Sequence, residues 1–206
     1  MVSVFDISPE LDISDKLPDM LALLPGWRRQ KALSYRFDRD RFLCAKAYLM
    51  LEDMLRTEYG IQHCPEFSYG SNGKPYFKEL SDIHFNMSHC PKGVACAVSD
   101  RPVGIDIEEI QFDEPVAMRV FNADEYARIK ECATPAEKFT ELWTMKESYL
   151  KLTGQGISMD LKNVIADAHD VHFETVINSK AGYVYTVSLM SAKVAPTEIS
   201  STFADS

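Results

Sequence analysis

Two acidic residues in a short apolar segment have a spacing suited to metal chemistry. Asp106 and Glu108 lie two positions apart in a β-branched run in which Ile105 and Ile107 take the alternate positions. Residues two apart on a strand point to the same face of a sheet. The pattern therefore predicts a strand with one apolar face and one acidic face. Because adjacent carboxylates repel each other, a cation is expected to neutralise them.

A second segment adds a carboxylate and a lysine on one face of a predicted helix. Glu147 and Lys151 are four residues apart, a spacing that makes side chains neighbours on a helix surface. Two strand carboxylates and one helix carboxylate can form a hard oxygen site for Mg²⁺, which usually also binds substrate phosphates. Mn²⁺ favours the same ligands. Each acid alone is expected to be a solvated charge or a surface ion pair worth about 0.2–0.5 kcal/mol, but the set favours a metal site.

Four basic residues are candidates for contacts with a phosphate. The default interpretation of each is a solvated surface charge. Lys74 is the strongest candidate, because Gly73 lets the backbone approach a ligand and Pro75 stiffens the segment. The four are Arg28, Lys31, Arg41 and Lys74.

A hydroxyl and an imidazole end the apolar segment 85–89. Ser88 and His89 are adjacent, so on a strand they would point to opposite faces, and no glycine pattern of a nucleophile elbow surrounds them. A nucleophile–base pair is therefore less plausible than a pair that contacts phosphate. The default interpretation is an ordinary serine and a half-buried histidine at a strand end. Gly154 and Gly156 follow the predicted helix and are interpreted as its cap and turn.

Composition and charge narrow the class of protein. The chain has 206 residues, 46% of them hydrophobic, with a net charge of −9 and a pI near 5.0. This balance argues against a general nucleic-acid or anionic-membrane binder. Five cysteines without a C-x-x-C spacing predict neither a disulfide framework nor a zinc site. The first ten residues have no secretory pattern and no apolar run is long enough to span a membrane, so we expect a cytoplasmic protein.

Hydrophobic periodicity predicts an α+β protein of two halves. A proline start, an aspartate cap and glycine stops at positions 60 and 154 help to delimit the helices, and residues 72–73 predict a hairpin turn. Each half, 1–101 and 102–206, offers a long helix followed by strands, which is compatible with a duplicated unit. Helices are predicted at 25–31, 38–59, 115–119, 123–132 and 135–153, and strands at 2–7, 83–87, 93–99, 103–107, 162–166, 171–176 and 183–190.

Taken in order, these segments resemble the 4′-phosphopantetheinyl transferases, in particular the larger monomeric type that activates peptide and polyketide synthases. The match covers residues from about 25 to 160 and is most specific in the 104–108 and 143–156 segments. It runs through Arg28-x-x-Lys31, Asp40-Arg41, Gly73-Lys74-Pro75, Phe85-Asn86-Met87-Ser88-His89, Gly104-Ile105-Asp106-Ile107-Glu108, Phe121-x-x-x-Glu125 and Trp143-Thr144-x-Lys146-Glu147-Ser148-x-x-Lys151-x-x-Gly154-x-Gly156.

The resemblance implies two similar α+β halves related by a pseudo-twofold axis, with the active site between them. It implies that the phosphopantetheine arm of coenzyme A moves to a serine of an acyl, peptidyl or aryl carrier protein and that 3′,5′-ADP leaves. Mg²⁺ would be held by Asp106, Glu108 and Glu147, with Glu147 as the candidate base. Lys151 would bind the diphosphate and stabilise the leaving phosphate.

The resemblance also distributes roles among the other motif residues. Ser88 and His89 would contact the phosphates. Lys146 would support the ligand or the fold, and Glu125 matches the pattern without an assigned role. The residues expected near the adenosine end, including its 3′-phosphate, are Arg28, Lys31, Arg41 and Lys74.

By the same resemblance, the carrier protein would dock on the segment that follows the acidic strand. Phe112, Val116 and Met118 are the candidate contacts, whereas Phe121 is expected to pack inward. Because the enzyme and its usually acidic carrier would repel each other at long range, we expect short-range apolar docking with modest salt dependence. No nucleic acid or membrane partner is expected, and the enzyme is expected to be a monomer.

Three features of the sequence depart from the family pattern, and two other classes of function are alternatives to the transferase. Cys90 stands where a small hydroxyl residue is common in the family, and Glu109 stands where a basic residue is common. The segment after Gly156 is short.

A non-catalytic module that binds coenzyme A or the carrier would be expected to lose part of the carboxylate–lysine set. A metal-dependent phosphodiester hydrolase would use the same carboxylates with a positioned water.

Overall fold

The computed structural model describes residues 1–156, 161–166 and 168–191, and within them six helices and eight strands form an α+β protein. This confirms the predicted fold class. The elements are β1 Val2–Asp6, α1 Ile13–Leu23, α2 Gly26–Leu33, α3 Asp38–Tyr59, β2 Phe67–Tyr69, β3 Pro75–Phe77, β4 His84–Cys90, β5 Gly93–Ser99, β6 Val103–Glu109, α4 Glu114–Val120, α5 Ala123–Glu131, α6 Pro135–Thr153, β7 Val171–Asn178 and β8 Tyr183–Met190.

Two antiparallel three-stranded sheets have the same strand order. In the first, β1 pairs with β5 and β5 with β4; in the second, β6 pairs with β8 and β8 with β7. In each sheet the strand that comes last in the chain, β5 or β8, is therefore the central strand. The strand that comes first, β1 or β6, forms one edge, and the remaining strand forms the other. The shared order supports a duplicated unit, while the pseudo-twofold axis and the division into 1–101 and 102–206 remain predictions. Residues 72–73, predicted as a hairpin turn, lie in the five-residue connection 70–74 of a hairpin formed by β2 and β3.

Alternation along the strands explains how the sheets and long helices stack. Val94 and Cys96 of β5 belong to the core cluster packed on α3, whereas Ala95 of the same strand packs with Ile105 and Ile107 of β6. A strand with both faces buried reads as a continuous apolar run, as β5 does. Because the apolar face of β6 is covered by the first sheet, its acidic face is left to contact α6.

The ends of the two long helices follow the sequence signals only in part. Gly60 and Gly154 end α3 and α6 with φ values of 67° and 69°, the left-handed conformation that glycine adopts without steric cost. At the other ends, Phe37 rather than Asp38 is the cap of α3, and Thr134 makes no side-chain cap bond to α6. The predicted glycine stops are confirmed and the predicted aspartate cap of α3 is wrong, whereas Thr134 is the N-cap residue of α6 without a hydrogen bond from its side chain.

One helix was not predicted, and one predicted strand is wrong. Helix α1 contains Pro18, a residue that ordinarily argues against a helix interior, although Asp12 caps its start. Residues 162–166 form turns rather than a strand. The carbonyls of Leu161 and Lys162 accept hydrogen bonds from the Lys146 ammonium, which takes these acceptors away from strand pairing. No helix in the described part of the chain has the length and apolarity to cross a bilayer.

Candidate active site

Helix α6 lies directly on the backbone of strand β6 at Gly104. A Cβ atom built on Gly104 would lie 2.0 Å from the carbonyl oxygen of Ser148 and 2.5 Å from the amide nitrogen of Leu152. The buried Ser188 hydroxyl of β8 donates to the Ser148 carbonyl at 2.8 Å. Since Asp106 is two residues from Gly104 and Glu147 precedes Ser148, this contact sets the separation of the strand and helix acids.

We expect Gly104→Ala to destabilise the fold and to displace α6. The added methyl meets backbone atoms that cannot rotate away, so a cost of about 1–3 kcal/mol or more is expected. Chemical denaturation measures the change, with Gly26→Ala as the control, because nothing lies within 4 Å of a Cβ at Gly26. A Gly104→Ala protein that unfolds at the wild-type denaturant concentration would contradict the close contact.

The centre of the site is a hydrogen-bonded cluster of three residues from β4, β6 and α6. Lys151 Nζ lies 2.5 Å from Asp106 Oδ1 and 2.8 Å from Ser88 Oγ. Ser88 Oγ in turn donates to Asp106 Oδ1 at 2.9 Å. Asp106 is almost completely buried, with 1% of its surface exposed. The structure thus brings together three predicted site residues that are as many as 63 positions apart in the chain.

The charge of Asp106 raises the pKa of two other carboxyl groups. Burial raises the pKa of Glu147, and Asp106 raises it further, while Lys151 opposes the shift. Burial and then Asp106 raise the pKa of Glu108 to about 7; Lys151 and a hydrogen bond from Trp143 lower it, and Glu147 raises it. These shifts mean that Asp106 repels both glutamates and that Glu147 repels Glu108. A bound cation would relieve that repulsion.

The three acids have the chemistry of a divalent-metal site without forming a closed cage. Asp106 Oδ2 and Glu147 Oε1 are buried oxygens with no hydrogen-bond partner among the described residues, and an orphaned buried acceptor is costly. Over the same ranges, no three His, Cys, Asp or Glu side chains are gathered closely enough to hold a metal ion. Lys151 instead supplies the positive charge beside Asp106. The unpartnered oxygens fit a cation, but the three carboxylates would have to move closer together to bind it.

A pocket of about 330 Å³ opens beside this cluster. The hairpin turn, β4 and the end of α6 form its walls, so its lining combines both parts of the chain. Its lining residues are Asn72, Gly73, Lys74, Pro75, Asn86, Met87, Glu147, Leu150, Lys151, Gly154 and Gly156.

The hairpin turn is tied to the end of α6 by two side chains. Asn72 Nδ2 donates to the Gly154 carbonyl at 2.9 Å. Lys74 Nζ donates to the carbonyls of Leu152 at 2.8 Å and Val103 at 3.2 Å. The bonds to Leu152 and Gly154 satisfy carbonyls that a helix end leaves unpaired, and the bond to Val103 reaches the start of β6. Burial lowers the pKa of Lys74 to about 8, because a low-dielectric environment disfavours the ammonium form.

The basic residues of the first half lie in three different environments. Arg28 is buried against the rings of Tyr48 and Phe67 and donates to the Cys44 carbonyl. Its Nε has no partner and no carboxylate in the described residues pairs with it. A buried guanidinium without an anion is costly, so Arg28 fits an anionic ligand. Lys31 is exposed beside the ring of Tyr35.

Arg41 and His89 complete the set of predicted phosphate contacts. Arg41 donates to the Tyr35 carbonyl in the loop before α3 and pairs with Asp38 in the first turn of that helix. Although His89 is exposed on one side, crowding by the surrounding protein lowers its pKa, and Lys151 lowers it further. The neutral imidazole is therefore favoured in the absence of a ligand. Neither residue lines the pocket beside α6.

Lys146 and Glu125, which match the family pattern, form a buried ion pair away from the pocket. Lys146 is fully buried, and its Nζ lies 2.8 Å from Glu125 Oε2 and 2.6 Å from the Leu161 carbonyl. Glu125 Oε2 also accepts from the backbone of Asn122, which closes a capping box at the start of α5. The pair therefore joins α6 to α5 and to the 161–162 turn. This gives Glu125 a structural role that the sequence left open.

The predicted docking residues differ in exposure. Phe112 and Val116 are partly buried and pack against the cluster around Phe139, whereas Met118 is 64% exposed. Phe121 is buried, which confirms the expectation that it packs inward. Met118 is the predicted contact most available to a partner.

Several residues of the site were not singled out from the sequence. Trp143 donates to Glu108, and the Asn86 side chain accepts the Ile105 backbone N–H at 2.9 Å, linking β4 to β6. Both residues lie in the motifs that resemble the family, and this position was the feature of the sequence that could have identified them as site residues. Asn72 carried only a turn signal and Ser188 carried none, since each acts through backbone carbonyls distant in sequence.

Fold and site together define an α+β protein with a carboxylate–lysine cluster where a strand meets a helix. The model of the 4′-phosphopantetheinyl transferase superfamily matches residues 102–197. The 4′-phosphopantetheinyl transferase psf-1 of Bacillus pumilus is 47% identical over 105 residues, which are 48% of this chain and 44% of that protein. The matched residues, 102–197, belong to the 4′-phosphopantetheinyl transferase superfamily.

Other relatives match over more of the chain. The 4′-phosphopantetheinyl transferase Sfp of Bacillus subtilis is 30% identical over 69% of this chain and 65% of its own length. The 4′-phosphopantetheinyl transferase gsp of Aneurinibacillus migulanus is 40% identical over 62% of this chain and 56% of its own. The chain thus spans about half to two thirds of the length of these relatives.

Proposed function

We propose that the protein transfers the 4′-phosphopantetheine arm of coenzyme A to a serine of an acyl, peptidyl or aryl carrier protein. The observation that carries this proposal is the cluster of Asp106, Ser88 and Lys151, with orphaned carboxylate oxygens, at the edge of the pocket beside α6. Superfamily membership supports the reaction class. A monomer in the cytoplasm is part of the same proposal.

Mg²⁺, or Mn²⁺ in its place, would be held by Asp106, Glu108 and Glu147. The unpartnered oxygens of Asp106 and Glu147 and the mutual repulsion of the three acids support this assignment. When bound, the ion would offset negative charge on the coenzyme's diphosphate, the main requirement of phosphoryl transfer.

The protein's own groups would direct the proton and the leaving group. The carrier serine oxygen forms a bond to the β-phosphorus while the bond from that phosphorus to the oxygen of 3′,5′-ADP breaks. The serine proton passes to Glu147, whose Oε1 lacks a hydrogen-bond partner among the described residues. Lys151, one turn along α6, stabilises the charge that the departing 3′,5′-ADP acquires.

The remaining phosphates would be bound by residues from the first half. Ser88 and His89 end β4 next to Lys151 and would contact the diphosphate. Arg28 has a buried, unpaired guanidinium that fits an anion, and Lys74 lies in the pocket wall. Lys31 and Arg41 would serve the adenosine end with them. The carrier would dock near Met118, with Phe112 and Val116 beneath it.

Mass spectrometry of the carrier tests the proposal. Apo carrier protein, coenzyme A and Mg²⁺ are incubated with the enzyme, and the carrier and the coenzyme are then weighed. A phosphopantetheine-sized gain on the carrier with release of 3′,5′-ADP is expected. Unmodified carrier with intact coenzyme would indicate a binding module instead, and cleaved coenzyme with unmodified carrier would indicate a hydrolase.

The pKa of Lys74 predicts how binding of 3′,5′-ADP depends on pH. Since that pKa is about 8 in the free protein, Lys74 is charged below pH 8 and loses its charge above it. An anion that contacts the ammonium raises its pKa, so affinity should fall as pH rises above 8. At about pH 6 and below, protonation of the ligand's own phosphates lowers affinity separately. In the described residues two of its three N–H donors meet carbonyls, which leaves one for the ligand.

Calorimetric titration with 3′,5′-ADP at several pH values measures this dependence. Lys74→Met should bind weakly at every pH and lose the decline above pH 8. Lys78→Met is the matched control, because Lys78 is an exposed lysine that follows the same hairpin. A decline that persists unchanged in Lys74→Met would remove Lys74 from the binding site.

A further inference from the structure

A surface formed by the end of α2, the start of α3 and the loop between them combines basic and apolar side chains. Phe37 is 59% exposed and Leu33 is 47% exposed, and both Arg36 and Arg39 are exposed as well. We call these four residues the basic–apolar surface. They belong to the 28–41 segment, which holds six Arg or Lys and two Asp in a chain of net charge −9. The local charge is therefore opposite to that of the whole molecule.

The side chains of this surface are arranged rather than simply extended into solvent. The Arg36 guanidinium lies 5.2 Å from the centre of the Phe37 ring, within the range of a cation–π contact. Arg39 Nη2 donates to the Pro91 carbonyl at 2.6 Å, which fixes the first turn of α3 to the turn after β4. An exposed aromatic ring beside arginines is typical of the residues that dominate protein–protein binding.

This surface differs in kind from the pocket of the proposed active site. The pocket beside α6 is lined by the hairpin turn, β4 and α6, and no residue of the basic–apolar surface is in that lining. Small ligands bind in concave sites, whereas Leu33 at the end of α2 and Phe37 in the following loop are exposed on the surface. A phosphate alone would leave these two apolar side chains in water. The combination fits a macromolecule better than a nucleotide.

The basic–apolar surface borders the site through β4. Pro91, which accepts the Arg39 hydrogen bond, is two residues after His89 on the strand that also carries Ser88. Ser88 is hydrogen bonded to both Asp106 and Lys151. A protein that brings its serine to this cluster is therefore close to the surface as well.

We propose that the basic–apolar surface is a second docking surface for the carrier protein, which binds an acidic segment bearing an apolar side chain. This inference rests on the proposed function, and it adds a contact on the first half of the chain to the one expected near Met118. The guanidiniums of Arg36 and Arg39 would pair with carboxylates of the partner, and Phe37 and Leu33 would bury its apolar side chain.

Charge favours a compact acidic protein over a nucleic acid or an anionic membrane. The rest of the chain is strongly acidic and would repel an extended polyanion. At physiological salt, screening limits such effects to about 8 Å, so a partner that contacts only this loop meets mainly positive charge. The surface is thus suited to a small acidic contact.

Fluorescence anisotropy with a labelled apo acyl carrier protein, measured without coenzyme A, tests the inference. Arg36→Glu and Phe37→Ser are each expected to weaken binding about tenfold. Arg56→Glu is the matched control, because Arg56 is an exposed arginine in the last turn of α3, and it should bind as the wild type does. Since all three side chains are exposed, circular dichroism should show an unchanged fold.

The possible outcomes separate the docking surface from the proposed reaction. Unchanged carrier affinity in both variants, or no carrier binding by the wild type, would overturn the inference. A raised KM for coenzyme A with unchanged carrier affinity would assign the arginines to the nucleotide, and selective loss of binding to phosphatidylserine vesicles would assign them to a membrane. Carrier binding that depends on Arg36 and Phe37, without phosphopantetheine transfer by the wild type, would support the surface and refute the reaction.

Discussion

Glu147→Gln is expected to lower turnover of phosphopantetheine transfer by a factor of about 10²–10⁴, the usual contribution of a general base. The amide keeps the size of the side chain but can neither accept the serine proton nor bind a divalent ion as a carboxylate does. Since Glu147 Oε1 has no hydrogen-bond partner in the described residues, the change breaks no bond seen there. The fold should remain intact.

The rate of carrier modification under saturating coenzyme A measures the effect, and thermal unfolding monitors the fold. Glu141→Gln is the matched control, because Glu141 is a half-buried residue of the same helix that pairs only with Lys138 among the described residues. It should retain nearly the wild-type rate. A near-normal rate for Glu147→Gln would remove Glu147 from the mechanism.

Lys146→Met is expected to destabilise the protein by about 3–5 kcal/mol, the typical cost of removing one partner of a buried ion pair. Lys146 is fully buried and pairs with Glu125, which is 7% exposed. Without the ammonium, the Glu125 carboxylate would remain buried without its counter-charge. The carbonyl of Leu161 would also lose its donor.

Urea denaturation of single and double variants tests the role of this pair. Lys146→Met combined with Glu125→Gln should recover part of the lost stability, because the amide carries no charge and can still accept from Asn122. Glu131→Gln, an exposed change on α5, should leave the midpoint unchanged. If Lys146→Met were nearly as stable as the wild type, the pair would not hold α5 and α6 together.

The site could be predicted from the sequence where regular periodicity set the positions of residues. Two-residue alternation placed Asp106 and Glu108 on one face of β6, and four-residue spacing placed Glu147 and Lys151 on one face of α6. The hydrogen bond between Lys151 and Asp106 could not be predicted in this way. It depends on the contact at Gly104, where two elements distant in the chain pack without an intervening side chain.

The failures of prediction have identifiable tertiary causes. Residues 162–166 alternate like a strand, but the buried Lys146 ammonium takes the carbonyls of the preceding turn. Arg28 has the sequence character of a surface residue, yet Tyr48 and Phe67 bury it from two other elements. In both cases long-range packing overrides the local pattern.

The central claim is that the strand acids Asp106 and Glu108 and the helix acid Glu147 bind one divalent ion. A crystal of the protein grown with coenzyme A and Mn²⁺ tests it directly through the anomalous signal of the metal. We expect one peak among the three carboxylates, with metal–oxygen distances of about 2.0–2.2 Å and the remaining positions taken by water and the diphosphate. A metal bound elsewhere, or the three acids directed away from a common ion, would contradict the account.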